Sequence, residues 1–97
     1  MKSKEDYKRE VEILKALANE ARLMIVDLLY EKEYAVGELT ELLELNQSTV
    51  SKHLSILYHA GIVDYKKNGN TVFYRLLTPC VLDAFKCACQ VKNRRDL

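Results

Sequence analysis

Two unlike structural patterns meet within residues 46–76, NQSTVSKHLSILYHAGIVDYKKNGNTVFYRL. Before Gly61 the apolar residues recur at helical spacing, whereas after it they alternate around the pair Asn68-Gly69. Glycine is a favoured residue just beyond a helix end, and Asn-Gly is a strong signal for a two-residue hairpin loop. The stretch therefore predicts a helix from Asn46 to Gly61 that is followed directly by a small β-hairpin.

One face of the predicted helix is apolar, because Val50, Leu54 and Leu57 fall at positions i, i+4 and i+7. The polar residues between them must project elsewhere. A third, shorter helix with Leu39, Leu42 and Leu43 precedes it, and two short helices joined by a tight turn form a helix-turn-helix.

The hairpin strands are predicted at residues 62–67 and 70–76. Pairing Lys67 with Asn70 would put Tyr65 opposite Val72, on a face that packs against the helices. The exposed tip would then consist of Lys66, Lys67, Asn68 and Asn70.

Three further helices complete the expected fold. Ser3 and Asn19 are suitable caps for the first two, and Thr78-Pro79 is a suitable start for a last helix that reaches about residue 94. The prediction is a mainly α winged helix-turn-helix, with about five helices and a two-stranded wing. It forms a single domain over residues 1–97.

A polar leading edge on the second helix of such a motif is suited to a DNA major groove, where side chains read the edges of the bases. Gln47 could pair with adenine, and Lys52 with guanine or phosphate, while the methyl group of Thr49 could contact thymine. The candidate DNA-binding residues are Gln47, Ser48, Thr49, Ser51, Lys52, His53, Ser55, Lys66, Lys67, Asn68, Asn70 and Arg75. His53 could touch the backbone of the DNA or be a half-buried packing residue.

The local distribution of charge, and not the net charge, supports DNA binding by these residues. The net charge of the 97 residues is only +1, which excludes a protein that coats polyanions by bulk charge. Residues 31–44 contain five glutamates and one lysine, whereas residues 47–75 contain four basic residues and one aspartate. The basic excess coincides with the proposed binding elements.

Several classes of protein are not expected. The first twenty residues lack an apolar signal core, and no run of eighteen apolar residues occurs, so we expect a cytoplasmic protein without membrane contact. No arrangement of nucleophile, base and orienting acid suggests an enzyme, and no obligatory cofactor is expected. A domain of this size gains stability by oligomerisation, and we expect a dimer.

The chain resembles the ArsR/SmtB family of metal- and metalloid-responsive repressors. The resemblance rests on ALANEARLMIVDLL at residues 16–29, STVSKHLSILYHAGIV at residues 48–63 and FYRL at residues 73–76. It implies a homodimeric winged helix, with residues 1–18 and 79–94 as dimerisation helices, that occupies an imperfectly palindromic operator until an inducer binds. It also implies that Gln47, Ser48, Ser51, Lys52 and His53 contact the DNA.

The three cysteines, Cys80, Cys87 and Cys89, are the candidate inducer ligands. Thiolates select thiophilic ions, and the resemblance implies arsenite or antimonite, with cadmium or lead as variants. Residues 34–38 hold no cysteine pair at the start of the third helix, and no histidine follows His59, so two sites known in the family are absent.

Helix geometry constrains a site made of all three sulfurs. Cys80 and Cys87 would lie roughly 10 Å apart along a regular helix, and Cys87 and Cys89 would point about 200° apart. Either the helix unwinds, or sulfurs from two subunits meet. Free cysteine also packs as a small hydrophobe, so the three could serve a dimer core without any ligand.

Two alternatives remain open from the sequence. In the first, the same DNA-binding repressor is switched by thiol oxidation, or has no inducer. In the second, the winged helix is a protein-interaction module, which strong salt dependence of duplex binding would argue against.

Overall fold

The structure is a computed structural model that describes residues 2–80. The helices are α1 (Lys4–Leu17), α2 (Glu20–Glu31), α3 (Val36–Leu43) and α4 (Gln47–His59). The strands are β1 (Tyr34–Ala35), β2 (Val63–Asn68) and β3 (Thr71–Leu76), which form an antiparallel sheet in the order β1-β3-β2. This mainly helical winged helix-turn-helix confirms the predicted fold class. Nearly all of the predicted last helix lies beyond Cys80 and therefore outside the described residues.

Side-chain caps set the start of three helices, as the sequence predicts. Ser3 accepts a hydrogen bond from the backbone N–H of Asp6, and Asn19 accepts one from that of Arg22. Asn46 caps α4 in the same way through the N–H of Thr49. Each cap satisfies an N–H group that the helix itself leaves unpaired.

The core lies where α2, α3 and α4 meet the sheet. Val50, Leu54 and Leu57 are fully buried, which confirms the apolar stripe predicted for α4. The remaining buried residues are Ala16, Leu17, Ile25, Val26, Leu29, Tyr34, Leu39, Ile62 and Val63. No helix within residues 2–80 is long and apolar enough to span a membrane.

The apolar stripe of α1 contributes little to this core. Tyr7, Val11 and Leu14 are 45%, 46% and 60% exposed, whereas Ala16 and Leu17 at the end of the helix are buried. A stripe of large apolar side chains on the surface is a common mark of a protein interface.

Strand β1 is absent from the sequence prediction. Tyr34 pairs with Tyr74 and Ala35 with Phe73, so the wing has a third strand. Two residues are too few to show an alternating pattern, and their partners lie some forty residues further along the chain.

The predicted register of the hairpin is wrong by two residues. Asn68 pairs with Thr71 and Tyr65 with Tyr74, so the loop is Gly69-Asn70. Of these two loop residues, only Gly69 has a positive φ, of 67°, as in a type II′ turn with glycine at its first central position. Because the shift is even, the faces of the strands stay as predicted.

The turn of the helix-turn-helix contains a strained residue. Glu44, the C-cap of α3, has φ 55° and ψ 39°, in the left-handed region that favours glycine. This conformation costs a non-glycine residue about 1–2 kcal/mol. Part of that strain would be relieved by glycine, at the cost of a more flexible unfolded chain.

We predict that Glu44→Gly raises the free energy of unfolding by about 0.5–1 kcal/mol. Thermal unfolding followed by circular dichroism at fixed protein concentration measures the change. Glu41→Gly is the matched control, because it removes the same charge from within α3 and should destabilise by about as much. Equal destabilisation by both variants would contradict the prediction.

Candidate nucleic-acid interface

A polar arc runs along the exposed side of α4, beside its buried stripe. Successive residues of a helix are rotated by about 100°, so the members of this arc fall within about 140° of each other. All are exposed. The arc consists of Gln47, Ser48, Ser51, Lys52 and Ser55.

The hydrogen bonds at the start of α4 determine what the arc can offer. Ser48 Oγ donates to Asn46 Oδ1 at 2.9 Å, and the same oxygen accepts from Thr49 N at 2.8 Å. With its proton committed, Ser48 presents lone pairs that can accept from an amino group on a base. No side-chain hydrogen bond within residues 2–80 involves Gln47 or Ser51, so both can donate and accept.

His53 lies apart from this arc, on the flank of α4 that faces α2. It is half-buried, and its Nδ1 is 3.2 Å from Arg22 Nη1. A guanidinium only donates, so Nδ1 accepts and the ring is neutral with its proton on Nε2. Burial, and then the charge of Arg22, lower the pKa of His53. DNA contact by His53 stays a prediction, and Nε2 is the nitrogen left for it.

The tip of the wing carries four further predicted DNA contacts. Its residues Lys66, Lys67, Asn68 and Asn70 are exposed. Lys66 Nζ is 3.5 Å from Glu33 Oε1, whereas no ion pair of Lys67 is found among the described residues. Exposed ion pairs are worth about 0–1 kcal/mol, so phosphate can compete for Lys66.

Arg75 is held at the base of the wing. Its Nη2 lies 3.2 Å from Asp64 Oδ2 on the neighbouring strand. The backbone N–H of Tyr65, and then Arg75, lower the pKa of Asp64, which keeps this carboxyl group ionised. A phosphate must therefore replace Asp64 as the partner of Arg75. Of the predicted DNA contacts on the wing, Arg75 is the farthest along the hairpin from its tip.

An open cleft of about 260 Å³ joins the two binding elements. Gln47, at the start of the polar arc, lines it on one side, and Asn70 and Thr71 of the wing line it on the other. Gly37, whose position has open space where a side chain would be, also lines the cleft at the start of α3. The polar arc and the wing thus border one continuous surface.

A row of tyrosines connects the far end of α4 to the wing. The rings of Tyr58 and Tyr65 have centroids 5.1 Å apart, and those of Tyr65 and Tyr74 are 5.5 Å apart. Burial, and then the neighbouring tyrosines, raise the pKa of Tyr74. These contacts orient the hairpin on α4, the second helix of the helix-turn-helix. The sequence prediction paired Tyr65 with Val72 and so missed its direct pairing with Tyr74.

The sequence prediction missed two charged residues that hold the site. Arg22 bonds to His53, and Glu33 bonds to Lys66. The available signal for Arg22 was a lone cation within a helix that is apolar on most sides. Glu33 carries no such signal, because its role depends on strand β1, which brings it over the sheet.

The thiolate site stays a prediction, because only one of its three cysteines lies within the described residues. Cys80 is exposed, and Cys87 and Cys89 lie outside the described residues. Within residues 2–80, no three histidine, cysteine, aspartate or glutamate side chains are grouped closely enough to hold a metal ion.

Comparison with known proteins finds transcriptional regulators. The family described as "Bacterial regulatory protein, arsR family" matches residues 19–65, from the cap of α2 into β2. The chain is 48% identical over 68 residues to the transcriptional activator HlyU of Vibrio cholerae, and 45% identical over 64 residues to the biofilm growth-associated repressor of Agrobacterium fabrum. These matches cover 70% and 66% of this chain, but only 63% and 55% of those relatives.

Two further matches extend over nearly the whole chain. An uncharacterized HTH-type transcriptional regulator of Mycobacterium tuberculosis is 35% identical over 95 residues, which are 97% of this chain and 83% of that protein. The homodimeric winged helix-turn-helix DNA-binding domain of a possible ArsR-family regulator from Mycobacterium bovis superposes with a TM-score of 0.80 at 29% identity. That superposition covers 97% of this chain and 90% of the domain.

The family and its named members are transcriptional regulators, which confirms that the chain is not an enzyme. Together with the winged helix and its polar arc, the matches establish that the chain belongs to the ArsR family of DNA-binding transcriptional regulators.

Proposed function

We propose that the protein is a cytoplasmic, homodimeric repressor that binds an imperfectly palindromic operator in double-stranded DNA. The observation that carries this proposal is the continuous surface formed by the polar arc of α4 and the wing across one cleft. A surface of this shape can occupy a major groove and the backbone beside it at the same time. Among the named relatives, the protein from Agrobacterium fabrum is a repressor.

In this proposal α4 enters the major groove, which at about 12 Å wide admits a helix. Gln47 and Ser51, whose side chains make no hydrogen bond within residues 2–80, read base edges. Ser48 accepts from a base amino group, and Lys52 binds guanine or phosphate. Lys67 and the other residues of the tip bind the adjacent backbone, with Thr49 and Ser55 at the margins of the contact.

The exposed stripe of α1 supports a dimer. Tyr7, Val11 and Leu14 are large apolar side chains that remain about half exposed within residues 2–80. Their burial against a second copy would stabilise a dimer by about 25 cal/mol for each Å² of apolar surface. A two-fold dimer places two recognition helices about 34 Å apart, one turn of B-DNA.

We also propose that a thiophilic inducer, arsenite or antimonite in the first place, releases the dimer through Cys80, Cys87 and Cys89. The support is chemical: three thiols within ten residues, directly after the wing, form a soft donor set. A change in dimer geometry there would alter the spacing of the two recognition helices.

We predict that the double variant Gln47→Ala, Ser51→Ala binds its preferred duplex about tenfold or more weakly, because each good base contact contributes about 1–3 kcal/mol. The duplex is first selected from a random library with the wild-type protein. Fluorescence anisotropy then gives the affinity, and size-exclusion chromatography checks the dimer. Unchanged affinity for the selected duplex would refute the assignment.

Salt dependence separates DNA binding from a protein-interaction role. We expect Lys67→Ala to reduce the slope of log affinity against log salt by about 0.9, as one phosphate contact is lost. The matched control is Lys8→Ala, which removes an exposed lysine of α1 outside the stripe of Tyr7, Val11 and Leu14 and should leave the slope unchanged. A wild-type protein that retains no duplex in the selection would favour the interaction module.

The inducer is tested by adding arsenite, cadmium, zinc or a thiol oxidant to the reduced protein on its duplex. We expect arsenite to release the wild-type protein and to leave the triple variant Cys80→Ser, Cys87→Ser, Cys89→Ser bound. Release of the triple variant would eliminate the thiolate site. Release by the oxidant alone would identify a redox switch instead.

A further inference from the structure

The side chain of Arg22 connects three helices. Its Nε donates to the carbonyl oxygen of Ala16 at 2.6 Å, near the end of α1. Its Nη1 donates to His53 Nδ1 at 3.2 Å, on α4. Arg22 itself lies in the first turn of α2, where Asn19 caps its backbone N–H. One half-buried side chain thus joins the end of α1 to the recognition helix.

Each bond of this side chain has a clear physical benefit. The last four carbonyl groups of a helix lack partners within it, and Ala16 belongs to that set in α1. A cation at a helix C-terminus is also favoured by the helix dipole. On α4 the bond engages an imidazole nitrogen that faces away from the polar arc, so it does not compete with DNA.

The apolar packing of α4 does not by itself fix its rotation. Val50, Leu54 and Leu57 provide burial, which is strong but has no direction. Side-chain tips lie about 5–6 Å from a helix axis, so a rotation of 10° moves them by about 1 Å. That is larger than the range of about 0.5 Å over which a hydrogen bond keeps good geometry. A directional restraint on α4 therefore matters for base reading.

We propose that Arg22 and His53 are positioning residues: the bond from Arg22 to His53 Nδ1 fixes the rotation of α4, so that Gln47 and Ser51 meet the bases in register. This inference rests on the proposed DNA-binding function. It assigns His53 a role within the protein, in place of a direct contact to the DNA backbone.

Two substitutions at one position distinguish the two roles. Asparagine places a polar atom where histidine has Nδ1, whereas glutamine places one where histidine has Nε2. We expect His53→Asn to bind the selected duplex within about threefold of the wild type, since it can still accept from Arg22. His53→Gln and His53→Leu should bind about tenfold more weakly, a difference of about 1.4 kcal/mol.

The opposite order, with glutamine active and asparagine impaired, would show that His53 contacts DNA through Nε2 and would overturn the proposal. Equal, wild-type affinity of all three variants would overturn it as well. Circular dichroism and size-exclusion chromatography of each variant establish that fold and dimer persist. A wild-type protein that selects no duplex refutes the proposed function, separately from the order of the variants.

A second measurement needs no DNA. We expect nitrogen-15 NMR of the wild type to show His53 with an unprotonated Nδ1 and its proton on Nε2. In Arg22→Gln the pKa of His53 should rise, because a neighbouring positive charge is removed. A wild-type ring protonated on Nδ1, or a pKa that does not respond to Arg22→Gln, would overturn the contact itself.

Arg22→Gln also tests what Arg22 does on the complex. A positioning residue makes no phosphate contact, so the affinity should fall about tenfold while the slope against salt stays at the wild-type value. A slope smaller by about 0.9 would mean that Arg22 binds a phosphate directly, and would overturn its positioning role.

Discussion

The burial of one apolar stripe on α4 is the constraint on which the rest of the structure depends. Val50, Leu54 and Leu57 are fully buried in the core, so this side of the helix must face inward. Deleting one such side chain from a core typically costs about 2–5 kcal/mol, which is a large part of the stability of a small domain. The polar arc is outside because this stripe is inside. Recognition chemistry is thus set by packing before any DNA is present.

Directional contacts then restrain the position and rotation of α4, which apolar packing alone does not fix. Asn46 fixes where α4 begins, Arg22 restrains its flank, and the tyrosine row ties its far end to the wing. The wing in turn depends on β1, which brings Glu33 to Lys66 across the sheet. Charge shows a local division of the same kind: residues 31–44 hold five glutamates and one lysine, whereas residues 47–75 hold four basic residues and one aspartate. A net charge near zero is compatible with DNA binding because α4 and the wing have a local basic excess.

Local signals in the sequence predicted local structure well. Helical periodicity and capping residues located α1, α2, α3 and α4, and a glycine with an Asn-Gly pair located the wing. Features that depend on distant partners were not predictable in this way. Strand β1 is only two residues long, and the loop of the hairpin is Gly69-Asn70. Arg22 bonds to His53, which is thirty-one positions away in the sequence. The polar arc could be predicted because its members share a helix with the stripe. The contacts of Arg22 with His53 and Ala16 could not be predicted, because they form only once the helices are packed.

The central claim is that the polar arc and the wing together form the DNA-binding surface. Backbone NMR spectra of the labelled protein, recorded with and without its selected duplex, test it most directly. The account predicts that the largest shift changes fall at residues 47–55 and 66–70, with the core residues Ile25 and Val26 little affected. Changes confined to α1, or a duplex that leaves residues 47–55 unperturbed, would contradict it.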